Sequence, residues 1–281
     1  MTFRLGASGT EVLVLQYQLK MIGFASAINA KFDDGMHNAV SAFQRAKGLS
    51  ADGIIGAKTR VAIAQALKPK LVLETMLLDA AETLGVCVPI IQAVAEVESR
   101  GQAFLSSGRP TIRFERHVFY RRLEAHGLDP ELLAEHMPGI VVKQAGGYRG
   151  GEQEHLRLQQ ASEIHASAAY ESTSWGAFHI MGYHWQVMGY ASVLAFATDM
   201  RNSYAHQLQA FVRLIAADDG LHAALRQKDW SDFARRYNGP SYAKNAYDVK
   251  LHNAYAHFVN LAESANSALP SVLKANTSYQ G

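Results

Sequence analysis

The sequence predicts a mainly α-helical protein in two parts: a small three-helix bundle, then a larger helical domain with at most a small β-hairpin. Three observations predict this. Apolar residues recur at helical spacing along most of the chain, only two short runs read as strands, and Lys68-Pro69-Lys70 interrupts the pattern.

In the first part, Val12, Leu15, Leu19 and Ile22 follow the three-four spacing of one helix face, and Gly23 ends that helix. A second helix from His37 to Lys47 presents Val40 and Phe43 and stops at Gly48. Asp52-Gly53 turns the chain into a third helix from about Thr59 to Leu67, with Ile63 and Leu67 inward. The Lys-Pro-Lys break places one domain at residues 1–67, a linker at 68–72 and a second domain at 73–281. There, Leu73, Leu77, Ala80 and Leu84 form one stripe, and a helix opens near Pro89 and runs to Ser99. Further helical patterns cover about 115–126, 152–170, 190–217, 230–237 and 246–266. The strand-like runs are Thr111 to Phe114 and Gly139 to Val142, and the polar tail from Asn276 to Gly281 is expected to be loose.

Composition narrows the function. With 48% hydrophobic residues in 281, both parts can bury cores. The balance of 27 Lys and Arg against 25 Asp and Glu, without a long basic run, argues against nucleic acid as partner. No 18 consecutive apolar residues occur, so no membrane insertion is expected, and the N-terminus lacks the apolar stretch of a secretory signal. Synthesis in a cytoplasm is the expectation. The one cysteine, Cys87, lies in an apolar run and is expected to be a small buried hydrophobe. Twelve histidines are present without a His-Glu-x-x-His pattern, so neither metal nor cofactor is expected. A monomer is expected.

The chemistry starts at Pro89 to Ser99. At 100° per residue, Ile91, Val94 and Ala95 share a face with Glu98, while Glu96 points to the opposite side. A carboxyl pressed against apolar surface has a raised pKa and stays protonated near neutral pH, as a general acid for a glycosidic oxygen must. Taken alone, Glu98 reads equally as a helix-end carboxylate beside Arg100. Two later segments add to it. Ser174-Trp175-Gly176-Ala177-Phe178-His179-Ile180-Met181-Gly182 reads as a loop entering a helix or turn, and Phe233 to Pro240 as a helix ending in Asn-Gly-Pro. Aromatic faces beside amides and hydroxyls suit a sugar chain, although each segment alone also fits packing and capping.

In this order, Glu98-Ser99, Gly176-Ala177-Phe178-His179 and Arg236-Tyr237-Asn238-Gly239-Pro240 resemble the three motifs of the lytic transglycosylase and goose-type lysozyme superfamily. The run from Leu71 onward is more closely similar to the N-acetylmuramidase domain of modular phage endolysins. Phe114-Glu115-Arg116-His117-Val118-Phe119 and Tyr170-Glu171-Ser172-Thr173-Ser174-Trp175-Gly176 carry that likeness. The resemblance implies a lysozyme-like fold that cleaves peptidoglycan, with Glu98 as acid and Glu171 as the carboxylate positioning water. It also implies Ser174, Gly176, Phe178, His179, Tyr237 and Asn238 as substrate contacts. The family's usual Gln is replaced by His179, which titrates near neutrality and would make contact there pH-dependent. Glu115 is a second candidate carboxylate, with an ion pair to Arg116 or His117 as its structural alternative.

The first domain resembles the three-helix peptidoglycan-binding domain through Leu5-Gly6, Leu15-Gln16, Phe43-Gln44, Gly48-Leu49, Asp52-Gly53-Ile54-Ile55-Gly56 and Thr59. Lys31-Phe32-Asp33-Asp34-Gly35 stands where a Gly-Phe-Gly is usual. Gln44, Asp52, Ile54 and Thr59 are the implied wall contacts. The whole layout implies an endolysin made in the host cytoplasm that reaches the periplasmic wall after holin release. Lytic transglycosylation through the same Glu98 and a non-catalytic wall-binding protein are the alternatives.

Overall fold

The computed structural model describes residues 2–239 and 242–267, so Pro240 and the tail from 276 to 281 lie outside the described residues. The chain divides into two compact units, one built on Met1–Met76 and one spanning Leu77–Ala265. It is mainly helical, with one small antiparallel sheet.

The first unit contains α1 (Thr10–Met21), α2 (Asp34–Ala46) and the start of α3 (Ala57–Leu84). Their inward faces close on Val12, Leu15, Leu19, Val40, Phe43, Ile63 and Leu67, the positions the three-four spacing selects, joined by Phe3, Phe32, Met36 and Ile55. The Asp33 side chain caps α2 by accepting from Met36 N. The third helix does not stop at Leu67. It runs on through Pro69 to Leu84, and residues 68–75 are exposed on every face. The stretch expected as a linker is therefore helical but packs no side chain into a core. Leu73, expected inside, is 41% exposed, whereas Leu77, Ala80 and Leu84 are buried.

The second unit continues with α4 (Val88–Ser99), β1 (Ile112–Phe114), α5 (Arg116–Ala125), α6 (Glu131–His136) and α7 (Glu152–Glu171). Next come β2 (Thr173–Trp175), β3 (Ile180–Met181), α8 (Val193–Asn202), α9 (Tyr204–Ala216), α10 (Asp219–Gln227), α11 (Trp230–Asn238) and α12 (Tyr247–Ser267). The sheet order is β1-β2-β3, with Ile112 opposite Trp175 and Ser174 opposite Met181. The segment from Ser174 to Gly182, expected as a loop entering a helix or turn, is a hairpin that leads into a short 3-10 helix at Gly182–His184. Gly139 to Val142 is no strand, because the amides of Ile140 and Val141 turn back to the Met137 carbonyl. The pattern over 190–217 holds two helices. Ser203 is extended and its hydroxyl caps α9, which breaks the run. Cys87 is exposed rather than buried, since it stands just ahead of α4, before the apolar face begins.

Candidate active site

Helix α4 buries Ile90, Ile91, Val94 and Ala95 and carries Glu98 into its last turn on the same side, while Glu96 is exposed. Glu98 is 4% exposed. Burial pushes its carboxyl from 4.5 up to about 7, opposed by one hydrogen bond from Asn238 and by the Arg113 charge. Asn238 Nδ2 donates to Glu98 Oε1 at 2.8 Å from the end of α11. Its Oδ1 is buried and has no hydrogen-bond partner among the described residues. A buried acceptor without a donor costs about 1–3 kcal/mol, which a ligand supplying an N–H or O–H would recover.

The β2–β3 hairpin joins the three motifs. Ser99 Oγ donates to Ala177 O at 2.8 Å, Tyr237 Oη donates to Phe178 O at 2.7 Å, and Ala177 N donates to Gln207 Oε1 at 2.8 Å. This packing requires glycine twice. Gly176 has φ +72° and a Cβ there would lie 2.5 Å from the Gln207 side chain; one at Gly182 would lie 2.0 Å from the Tyr170 carbonyl.

The expected contacts separate into two groups. Tyr237 and Asn238 are half-buried beside Glu98. Phe178 is wholly buried and stacks on Phe211 at 4.5 Å, so its ring shapes the wall and has no face free for a sugar. Ser174 Oγ bonds His179 Nδ1 at 3.1 Å, and both side chains are buried. Burial and the nearby Arg113 push the His179 imidazole down to about 3, so it stays neutral and the pH-dependent contact expected of it is corrected. His179 has φ +44°, a strained backbone for a side chain of its size.

Glu171 ends α7 with its carboxyl held elsewhere. Trp185 Nε1 lies 3.3 Å from Oε1, and His126 Nε2 and Arg122 Nε lie 3.3 and 3.6 Å from Oε2. None of these groups contributes to the setting of Glu98. Glu115 receives the Tyr148 hydroxyl at 2.8 Å and has His117 Nδ1 at 3.4 Å, whereas Arg116 turns to the Pro138 and Gly146 carbonyls. Arg113, Tyr148 and Tyr247 were not singled out by motif. The trace of Arg113 in the sequence is alternation, since Ile112 and Phe114 are buried and Arg113 between them is turned the other way.

In the first unit, Gln44 and Thr59 are 2% and 4% exposed. Gln44 Nε2 donates to Asp52 Oδ1, Ile54 O and Thr59 Oγ1, and its Oε1 accepts from Gly53 N. Their hydrogen bonding is complete within the domain, which leaves Asp52 and Ile54 as the more accessible of the four expected wall contacts. A groove of about 550 Å³ on this unit is lined by Lys47, Leu49, Lys58, Val61 and Gln65 among others.

Among the described residues, no group of three His, Cys, Asp or Glu is placed to hold a metal ion. No single helix among them is long and apolar enough to cross a membrane.

Residues 87–259 match the family model described as N-acetylmuramidase, and residues 8–63 match a peptidoglycan binding domain. A crystal structure of a Burkholderia AP3 phage endolysin is 43% identical over 93% of this chain and 99% of that one, with a TM-score of 0.62. Comparison with curated proteins finds no match. The family match spans the three motifs that the hairpin brings together, and the chain belongs to the N-acetylmuramidase family, in a form carrying a peptidoglycan-binding domain at its N-terminal end.

Proposed function

We propose that the chain is an endolysin that hydrolyses the β-1,4 bond between N-acetylmuramic acid and N-acetylglucosamine, with Glu98 as general acid. The observation that carries this reading is a buried carboxyl held by a single donor, with a pKa of about 7. Such a group is protonated up to neutrality and surrenders the proton to a leaving oxygen when the bond strains. Asn238 Oδ1, buried and unpaired, would accept from an acetamido N–H or a ring hydroxyl beside it. His179 and Tyr237 also line a cavity of about 190 Å³.

The first unit holds the enzyme on insoluble wall. The biological setting is host lysis, with the enzyme made in the cytoplasm and acting on periplasmic peptidoglycan after holin release. The relative that is a phage endolysin supports this.

Inverting hydrolysis calls on a second carboxylate on the far sugar face, roughly 6.5–9.5 Å from the first. Glu171 is that group in the hydrolase reading. Its attachment to Trp185, His126 and Arg122 favours a second reading, lytic transglycosylation, in which the substrate's own 6-hydroxyl attacks. Mass spectrometry of digested sacculi separates the two. Reducing muramic acid ends support hydrolysis, anhydro ends replace it with transglycosylation, and no new ends with either would leave only a wall binder.

A further inference from the structure

Among the described residues, Arg113 is the cation whose charge acts on Glu98, and the mechanism above does not use it. Strand β1 fixes it: Ile112 and Phe114 are buried, their backbones pair with Trp175 and Thr173, and Phe114 N is anchored on the buried Glu154 carboxylate. Arg113 is therefore presented from the opposite side of a strand that cannot rotate. Its guanidinium lies 5.8 Å from the centre of the Tyr148 ring, and its charge reaches the Tyr247 hydroxyl. Among the described residues no carboxylate comes within 4.0 Å of it, although Glu98 and Glu115 both sense its charge. Those carboxyls are the two that burial biases towards the neutral form, so they compensate Arg113 least when Glu98 carries the proton needed for catalysis.

A half-buried guanidinium flanked by two tyrosines, with no direct counter-ion, is a recognition pattern for a carboxylate. Peptidoglycan differs from other β-1,4-linked N-acetylhexosamine chains in this group: its muramic acid carries a lactyl ether extended by an acidic peptide. We propose that Arg113, with Tyr148 and Tyr247, is the subsite that receives a carboxylate of the lactyl-peptide stem on the sugar bound beside Glu98. This rests on the muramidase reading above and adds a basis for substrate choice. Glu98 supplies the proton, and Arg113 selects muramoyl chains over neutral ones.

The test is a cycle on soluble disaccharide-peptide oligomers, with their carboxylates either free or converted to amides. The full-length protein and its Arg113→Gln and Arg113→Lys variants are assayed at pH 5.5, where Glu98 is protonated whether or not Arg113 is present. Amidating the substrate should raise the wild-type KM about 10–100-fold, the range of a charge-assisted hydrogen bond, with kcat nearly constant. Arg113→Gln should raise KM on the free acids by the same factor and be indifferent to amidation, with Arg113→Lys in between. An equal amidation effect in wild type and Arg113→Gln overturns the proposal. So does a fall in kcat alone, which would make Arg113 a positioning residue for Glu98. Wild-type protein that cleaves neither oligomer nor sacculi would instead refute the muramidase reading.

Discussion

Of the glutamates buried in the second unit, Glu154 at 0% and Glu98 at 4% exposure are the deepest, and they are surrounded differently. Glu154 accepts from Phe114 N, Arg149 N, Gly150 N and Arg157 Nη1, so its lone pairs are occupied by backbone and a buried cation. Glu98 has one donor, Asn238, which itself keeps an unpaired acceptor. The first arrangement fixes a strand and a loop; the second leaves a proton and a hydrogen-bonding site unclaimed. Burial alone marks neither structure nor function. The number of bonds a buried polar group still has to make distinguishes them.

The comparison breaks most visibly at Glu98. Glu98→Gln keeps the shape but supplies no proton, so turnover should fall about 10²–10⁴-fold with no loss of stability, while Glu96→Gln on the exposed face changes neither. Retention of a tenth of wild-type turnover would remove Glu98 from the reaction. At Glu154 the loss is of stability. Glu154→Ala strands Arg157 in the interior, where an uncompensated charge costs about 3–5 kcal/mol, read by denaturant unfolding. A Glu154→Ala protein as stable as wild type would mean that β1 is held by other contacts.

The pH dependence sharpens the contrast. Folding raises the Glu98 pKa from 4.5 to about 7, so the folded state holds the proton more tightly. Stability is then greatest below 4.5 and declines as pH rises to about 7, a loss of about 3 kcal/mol that persists above it. Glu98→Gln should match wild type at pH 4 and exceed it by up to that amount at pH 8. The same titration removes the acid, so wild-type turnover should fall as pH passes 7. Parallel stability curves for the two proteins from pH 4 to 8 would show that Glu98 is not desolvated.

Much of this was legible in the sequence, for identifiable reasons. The direction of Glu98 follows from 100° periodicity on an apolar helix, and the ends of α1 and α2 from Gly23 and Gly48 at φ +91° and +66°. The hairpin β2–β3 was not legible. Its strands have three and two residues, and its main partner, β1, lies some sixty positions earlier, so no local pattern encodes the pairing. Helix α6, six residues long, is too short for a periodic signal. Phe178 and Gln44 show a different limit. Matching a motif identifies a position, while only packing tells whether the side chain meets ligand or core.

Gln44 provides the smallest effect and the strictest version of the comparison, because it repeats the Glu154 pattern with a neutral group. Its amide joins α2 to the 52–54 turn and to Thr59 through four bonds, leaving nothing for a glycan. Gln44→Met retains the volume but leaves the buried Gly53 N without its acceptor, at a cost of about 1–3 kcal/mol. Unfolding of the first unit should shift by that amount. At temperatures where the unit remains folded, pelleting with purified sacculi should give wild-type affinity, because the side chain never reaches the surface. If affinity falls while stability is unchanged, Gln44 is a wall contact after all, and counting satisfied bonds would fail as a guide in this unit. If both are unchanged, the turn is held by Asp52, whose carboxylate accepts from Ile54 N at 2.9 Å, and the network is redundant.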